Sequence, residues 1–288
     1  MKRSTAKMTR TIRNIFVHIG LGLLAIIWVF PILYVVLISF RAETGSYTST
    51  FFPKGYTLDN YIRLFTETEM FNFPRWFANT FIIAVFTCIL ATFFIVSIAY
   101  TMSRLRFKLR KPFLNIALIL GMFPGFMSMI AVYYIFKAVG LTDGALKLVA
   151  LILVYSGGSG LLSFYVAKGF FDTIPKTIDE AAYVDGATKW NTFTQIIMPL
   201  SRPIVIYTVL TSFMAPWLDF IFAKVIIGTD AKYYTVAIGL WNMLEKENIT
   251  NWYTRFFAGA VCVSIPIAIL FLIMQRYYTD GMTGAIKG

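Results

Sequence analysis

The chain has 288 residues, of which 58% are hydrophobic and only 14% charged, with a mean hydropathy of +0.70 and a formal net charge of +12. Soluble proteins carry roughly 25% charged residues, so a soluble domain is excluded, and several apolar runs approach the ~20 residues that a membrane span requires. The cationic excess reads as the loop bias of a polytopic membrane protein, not as a nucleic-acid surface. Cys88 and Cys262 each sit inside an apolar run, where they read as small buried hydrophobes rather than a disulfide or metal pair. His18 is the only histidine, which leaves neither a zinc site nor a catalytic triad to build.

In chain order, residues 1–18 form a basic tail and a first span covers about 19–40, too long for a signal peptide and without a small-residue cleavage site. Pro31 within it marks an expected kink. A polar stretch of mixed charge, 41–75, contains a short amphipathic segment at Asn60–Phe65. A second span, about 76–100, leads to a strongly basic loop with Arg104, Arg106, Lys108, Arg110 and Lys111. The third span covers about 113–136 and the fourth about 146–166. The centre of the fourth, Gly157-Gly158-Ser159-Gly160, suits either close helix packing or a break that lines a solute path. A polar insert, 167–202, separates it from the fifth span, about 203–227. An extramembrane loop, 228–255, carries Trp241 and Trp252, and the sixth span, about 256–274, ends in a short tail, 275–288. The sequence thus predicts an all-α fold of six transmembrane helices.

Six spans put both termini on one side. The N-terminal tail, the 101–112 loop, the insert and the C-terminal tail then share that side and hold most of the Lys and Arg residues, so it is predicted to be cytoplasmic.

Within the insert, Thr177 to Ala187 reads as a short helix. Thr177 and Glu180 have capping-box spacing, Asp179 favours the first turn, and Gly186 suits a left-handed stop. Ala181 and Ala182 leave one flank nearly bare for another surface. Glu180 is thereby a cap, a docking knob, or both. Downstream, Trp190, Phe193 and Ile197 recur at helical spacing, as an interfacial helix requires.

The chain has no nucleotide-binding G-x-x-x-x-G-K-[ST] loop. Its spans hold few ionisable groups, which disfavours a self-sufficient proton-coupled carrier or channel. The clearest intramembrane acid is Asp219, in Ala215-Pro216-Trp217-Leu218-Asp219-Phe220. It reads either as a polar group on a solute path, with Trp217 stacking on a sugar face, or as a packing group paired with Lys224 or a neighbouring subunit.

The insert then becomes specific. Glu180-Ala181-Ala182, Gly186, Ile196 and Met198-Pro199 fall at the spacing of the EAA loop of ABC importer membrane subunits, which this segment resembles. Met198 stands where that pattern has Leu, an exchange that conserves volume. Ile174-Pro175, Asp185-Gly186-Ala187 and Ser201-Arg202-Pro203 sharpen the match, and the tail from Gln275 to Gly288 is similar to the ending of the smaller permease of maltose/maltodextrin-type importers.

The resemblance implies a type I ABC importer permease fold in a bacterial or archaeal plasma membrane. The insert would be a coupling helix, acting through Glu180, Ala181, Ala182, Asp185, Gly186 and Ala187. Thr283, Gly284 and Lys287 would reach the ATPase interface, while Trp217, Asp219, Gly157 and Gly158 are, from their residue types alone, the candidates for the substrate path or for helix packing. The implied partners are a second homologous permease, two cytoplasmic ATPase subunits and an extracellular solute-binding protein. ATP and Mg would be used by the ATPases, with no cofactor on this chain. The implied cargo is maltose or maltodextrin, with galacto- or raffinose-type sugars and polyols as alternatives.

Overall fold

A computed structural model describes residues 2–46, 50–123, 125–157 and 160–284 of the chain. In order its helices are α1 (Lys2–Ser39), α2 (Asp59–Thr66), α3 (Phe73–Arg104), α4 (Arg110–Gly121), α5 (Gly125–Ala138), α6 (Leu146–Gly157), α7 (Gly160–Thr173) and α8 (Lys176–Val184). There follow α9 (Lys189–Asn191), a π-helical stretch (Thr192–Ile197) and α10 (Met198–Leu200), which run on as one rod. The chain continues through α11 (Arg202–Leu218), α12 (Ile221–Ile227), α13 (Val236–Met243) and α14 (Ile249–Gly284). Among the described residues the only β pairing is an isolated bridge between Arg41 and Tyr56.

Among the described residues three helices are long and apolar enough to cross a membrane uninterrupted: Arg13–Ser39, Phe73–Arg104 and Ile249–Gln275. The count reaches five if each of two bent pairs is one span. The third and fifth expected spans are therefore not continuous rods. The third is divided between α4 and α5, and the fourth covers α6 and α7, with residues 158 and 159 between them outside the described residues. The fifth is divided after Leu218, where Asp219 turns extended. The rod Lys189–Leu200 meets α11 at 79°. Pro199 and Pro203 flank that corner, and neither can donate a backbone N–H. The last span begins earlier than expected, at Ile249 rather than near 256, because Ile249 to Arg255 already belong to α14.

The chain divides into two compact units. The first holds residues 1–67 and 242–262. Here α1 exposes nearly all its apolar side chains, Trp28 and Ile27 among them. The polar stretch after α1 is organised by two buried side chains. Asn60 donates to the carbonyls of Ser39 and Arg41 at 3.0 and 2.8 Å and accepts Thr254 at 2.8 Å. Arg41 is 2% exposed, donates to the Glu43 and Gly45 carbonyls, and lies over the Tyr253 ring. Burial without these partners would be strongly unfavourable.

The second unit holds residues 68–241 and 263–288. Its centre is α3, which packs along α7, α11 and α6. Ala84, Ala91 and Ala99 are fully buried on α3, and such small residues allow close helix approach. At the far end of α3 from the basic loop, Trp76 and Asn79 donate to the backbone of Ala231, Lys232 and Tyr234, while Thr80 accepts from Val236. Gly239 of α13 sits against the Trp76 ring so closely that a Cβ there would fall 1.9 Å from it.

Candidate coupling site

The insert builds a short helix with one face fastened down and the other free. It begins at Lys176, one residue before the expected cap, with Pro175 at the N-cap and no side-chain cap hydrogen bond. The Thr177–Glu180 capping box is thus corrected: Pro175, held near the φ it needs, opens the helix and puts Thr177 inside the first turn. The expected stop does form. Gly186 has φ +84°, its N–H donates to Tyr183 and the Ala187 N–H donates to Ala182. This is the pairing of a Schellman motif, and it satisfies carbonyls at the end of α8.

Asp179 and Ala182 are buried, whereas Glu180, Ala181, Asp185 and Gly186 are exposed and Ala187 is half-buried. The two alanines therefore do different things. Ala182 lets α8 come close to its own chain, and only Ala181 keeps an outer flank bare. Val184 is 87% exposed, and Tyr183 and Trp190 also lie open. Sequence reading passed over Tyr183 and Val184. The signal was two apolar side chains beside a polar loop motif, with no apolar neighbour in sequence to hide them.

The fastening is a charged side chain from another helix. Arg104, in the last turn of α3, donates to Asp179 Oδ2 at 2.8 Å, and also to the carbonyls of Phe171 and Ile174 at 2.9 and 2.8 Å. Those carbonyls lie at the C-terminus of α7, where a cation also meets the favourable end of the helix dipole. One planar guanidinium thereby ties α3, α7 and α8, a fork geometry that Lys cannot reproduce. Both side chains are well buried. A second fastening lies one turn away, where Asp172 accepts Ser103 and Lys168, each at 2.6 Å.

The two aspartates shift in opposite directions. Burial pushes the Asp179 carboxyl above its ordinary value, with Arg104 pulling the other way and Glu180 adding to the rise. Burial also works to raise Asp172, but the Lys168 and Ser103 hydrogen bonds outweigh it and the net shift is downward. Asp179 Oδ1, Arg104 Nε and the Tyr100 hydroxyl are buried without a hydrogen-bond partner among the described residues. The rod after the turn packs back on α3, with the Phe193 and Tyr100 rings 4.4 Å apart and Ile197 fully buried.

The expected path residues lie elsewhere. The Asp219 carboxylate accepts the Tyr155 hydroxyl at 2.6 Å and the Phe222 and Ala223 amides at 3.3 and 2.8 Å. It thus caps α12, and its side-chain partner is Tyr155 of α6 rather than Lys224, which lies over the Tyr234 ring. Trp217 is 3% exposed among Phe77, Phe81 and Phe213. Gly157 ends α6 and is exposed, while Gly158 lies outside the described residues. Thr283 and Gly284 extend the end of α14, and Lys287 lies outside the described residues. Among the described residues no group of three or more His, Cys, Asp or Glu is arranged to hold a metal.

The chain is an all-helical membrane protein that holds a short helix, α8, by its inner face and leaves the outer face open. It belongs to the family of binding-protein-dependent transport system inner membrane components, which matches residues 95–284. The chain is 35% identical to the galactooligosaccharides transport system permease protein GanQ of Bacillus subtilis, over 98% of both chains. It is 33% identical to the maltodextrin transport system permease protein MdxG of the same organism, over the whole of both. In fold it resembles a chain of a bacterial ABC transporter involved in the import of the polysaccharide alginate, with a TM-score of 0.74 and 22% identity, over 93% of this chain and 96% of that one. The chain is accordingly a non-catalytic permease subunit of an ABC transporter and a multi-pass membrane protein. Membership implies an ATPase and a binding protein as partners, and no cofactor on the permease itself.

Proposed function

We propose that this chain forms half of the translocation path of an ATP-driven importer for an oligosaccharide, and that α8 is the helix through which ATP hydrolysis moves it. Maltodextrin and galactooligosaccharide are the cargoes of the two relatives named above, and a short oligosaccharide of that kind is the proposed substrate. In this reading the chain crosses the membrane six times, some crossings being made by broken helices. Both termini and the insert face the cytoplasm, where two ATPase subunits act. A second, homologous permease completes the path, and an external solute-binding protein delivers the sugar.

The observation that carries the reading is the Arg104 clamp. Pressure on the outer face of α8, through Glu180, Ala181, Val184, Asp185 and Gly186, passes through Asp179 to Arg104 and from there to α3 and α7. A short helix tied only by a flexible loop would absorb the same displacement. Thr283, Gly284 and Lys287 are proposed to add a second contact with the ATPase. Trp217 and Asp219 then shape the path by holding its helices, since the Asp219 carboxylate is hydrogen-bonded within the chain and the Trp217 ring packs against Phe77.

The test is sugar uptake by the reconstituted complex, measured beside ATP hydrolysis. Arg104→Ala is expected to leave hydrolysis running while uptake falls. Uptake by this chain alone in liposomes, without ATP or partners, would instead favour a self-sufficient carrier. Ligand binding by the partner binding protein identifies the sugar.

A further inference from the structure

We propose that the second unit carries a binding site for one anionic phospholipid, in an apolar groove between α3, α4, α6 and α7. The groove has a volume of about 480 Å³ and is lined by Phe94, Ile98 and Met102 of α3, Phe113 and Ala117 of α4, and Phe164 of α7. Among the described residues Ser156 supplies the only hydroxyl in the lining, which is otherwise apolar. Phe94, Ile98 and Phe113 are all more than 40% exposed, so the groove opens sideways rather than into the packed core.

Its dimensions suit an acyl chain. From Phe94 to Met102 the helix rises about 12 Å at 1.5 Å per residue, against about 15 Å for half of a bilayer's hydrocarbon core. One chain of a lipid would therefore lie along the groove through most of one leaflet.

The charge at one end selects the headgroup. Between the lining residues Met102 of α3 and Phe113 of α4, the connecting loop and the first turn of α4 place Arg106, Lys108, Arg110 and Lys111 within six residues. Arg106, Lys108 and Lys111 are exposed, and no salt bridge joins any of the four to an acid among the described residues. The nearby Asp172 accepts Lys168 and Ser103, and of the four cations only Arg110 adds an electrostatic attraction to it among the described residues. No acidic residue occurs between Arg104 and Asp143. A phosphate on a glycerol headgroup would meet these cations at the depth where the acyl chain enters the groove, and each such cation near an anionic surface contributes measurably to attraction.

The experiment uses the assembled importer in proteoliposomes. Phosphatidylglycerol and phosphatidylcholine, each with a photoreactive acyl chain, are supplied at equal mole fraction, and labelled peptides are mapped by mass spectrometry. Residues 94–102 and 113–120 are expected to take the phosphatidylglycerol label at least about tenfold over the phosphatidylcholine label. With Arg106, Lys108, Arg110 and Lys111 all changed to Gln, the two labels should converge to within about twofold. Ala117→Phe, which fills the groove, should remove both. Equal labelling of the wild-type complex, or a preference that survives the four charge changes, would overturn the proposal. So would an efficient cross-link from Ile116→Cys to the sister permease, since the groove would then be covered by protein. If Ala117→Phe fails to assemble, the charge variant, altered only at solvent-facing and half-buried positions, still decides.

Discussion

The guanidinium of Arg104 and the carboxylate of Asp179 lie 2.8 Å apart, joining the end of α3 to the buried face of α8. The same guanidinium holds two carbonyls at the end of α7. Removing one member of a buried, hydrogen-bonded pair leaves the other uncompensated, at about 3–5 kcal/mol. Arg104→Ala should therefore lower the thermal stability of the purified complex strongly. Arg104→Lys should recover only part, because a compact ammonium lacks the planar fork that reaches acceptors on two helices at once. A double-mutant cycle with Asp179→Ala should give a coupling energy of about 0.5–3 kcal/mol. Additive effects would show that the contact carries nothing.

Asp179 and Asp172 should shape the pH dependence of stability in opposite senses. The folded-state pKa of Asp179 lies above its ordinary value of 3.8, so the folded protein binds the extra proton. Its contribution is fully present below 3.8 and is lost as pH rises through the higher folded value. Asp172 is shifted downward, so its contribution is present above 3.8 and is lost as pH falls through the lower folded value. Asp179→Asn should remove the first dependence and Asp172→Asn the second, read from melting curves of the complex between pH 3 and pH 7.

Gly186 should resist substitution for conformational rather than steric reasons. Its φ is +84° and nothing lies within 4 Å of an added Cβ. Gly186→Ala is expected to cost about 1–2 kcal/mol in local backbone energy, and Gly186→Asn less, because Asn tolerates the left-handed region. Uptake should fall in the same order, with the complex still assembled.

Gly239 presents the opposite case. A Cβ there would overlap the Trp76 ring, so Gly239→Ala must displace the indole that donates to Ala231. Overpacking of this kind costs about 1–3 kcal/mol. Adding Trp76→Leu to Gly239→Ala should recover part of the loss in a thermal melt, although Trp76→Leu alone destabilises.

Asp219→Ala removes the cap of α12 and the partner of Tyr155. Loss of such a cap costs about 0.5–2 kcal/mol. The expected outcome is a less stable complex with an unchanged KM for sugar among the molecules that assemble. A raised KM with normal stability would place Asp219 on the substrate path instead.

The apolar runs made the membrane class and the approximate segments legible, because hydropathy is summed over many residues. The breaks were less so. Asp219 reads in sequence as an intramembrane acid with a path or packing role; it accepts the Phe222 and Ala223 amides of a helix that begins only after the break, and its side-chain partner, Tyr155, lies 64 positions away. The left-handed stop at Gly186 was legible because local backbone geometry decides it. The N-cap falls two residues earlier than the sequence suggests, at Pro175 rather than Thr177, because the fixed φ of proline prevails. Arg104 was counted among the loop cations that set orientation. Nothing near it in sequence marks it as buried, since its acceptors lie 67, 70 and 75 residues further on.

The role of α8 is tested most directly in reconstituted complexes that carry Glu180→Ala and Gly186→Ala together. ATP-dependent sugar uptake, ATP hydrolysis and subunit assembly would be measured on the same preparation. Assembly retained with uptake lost per ATP hydrolysed is the predicted result. Full uptake with both residues changed would contradict it.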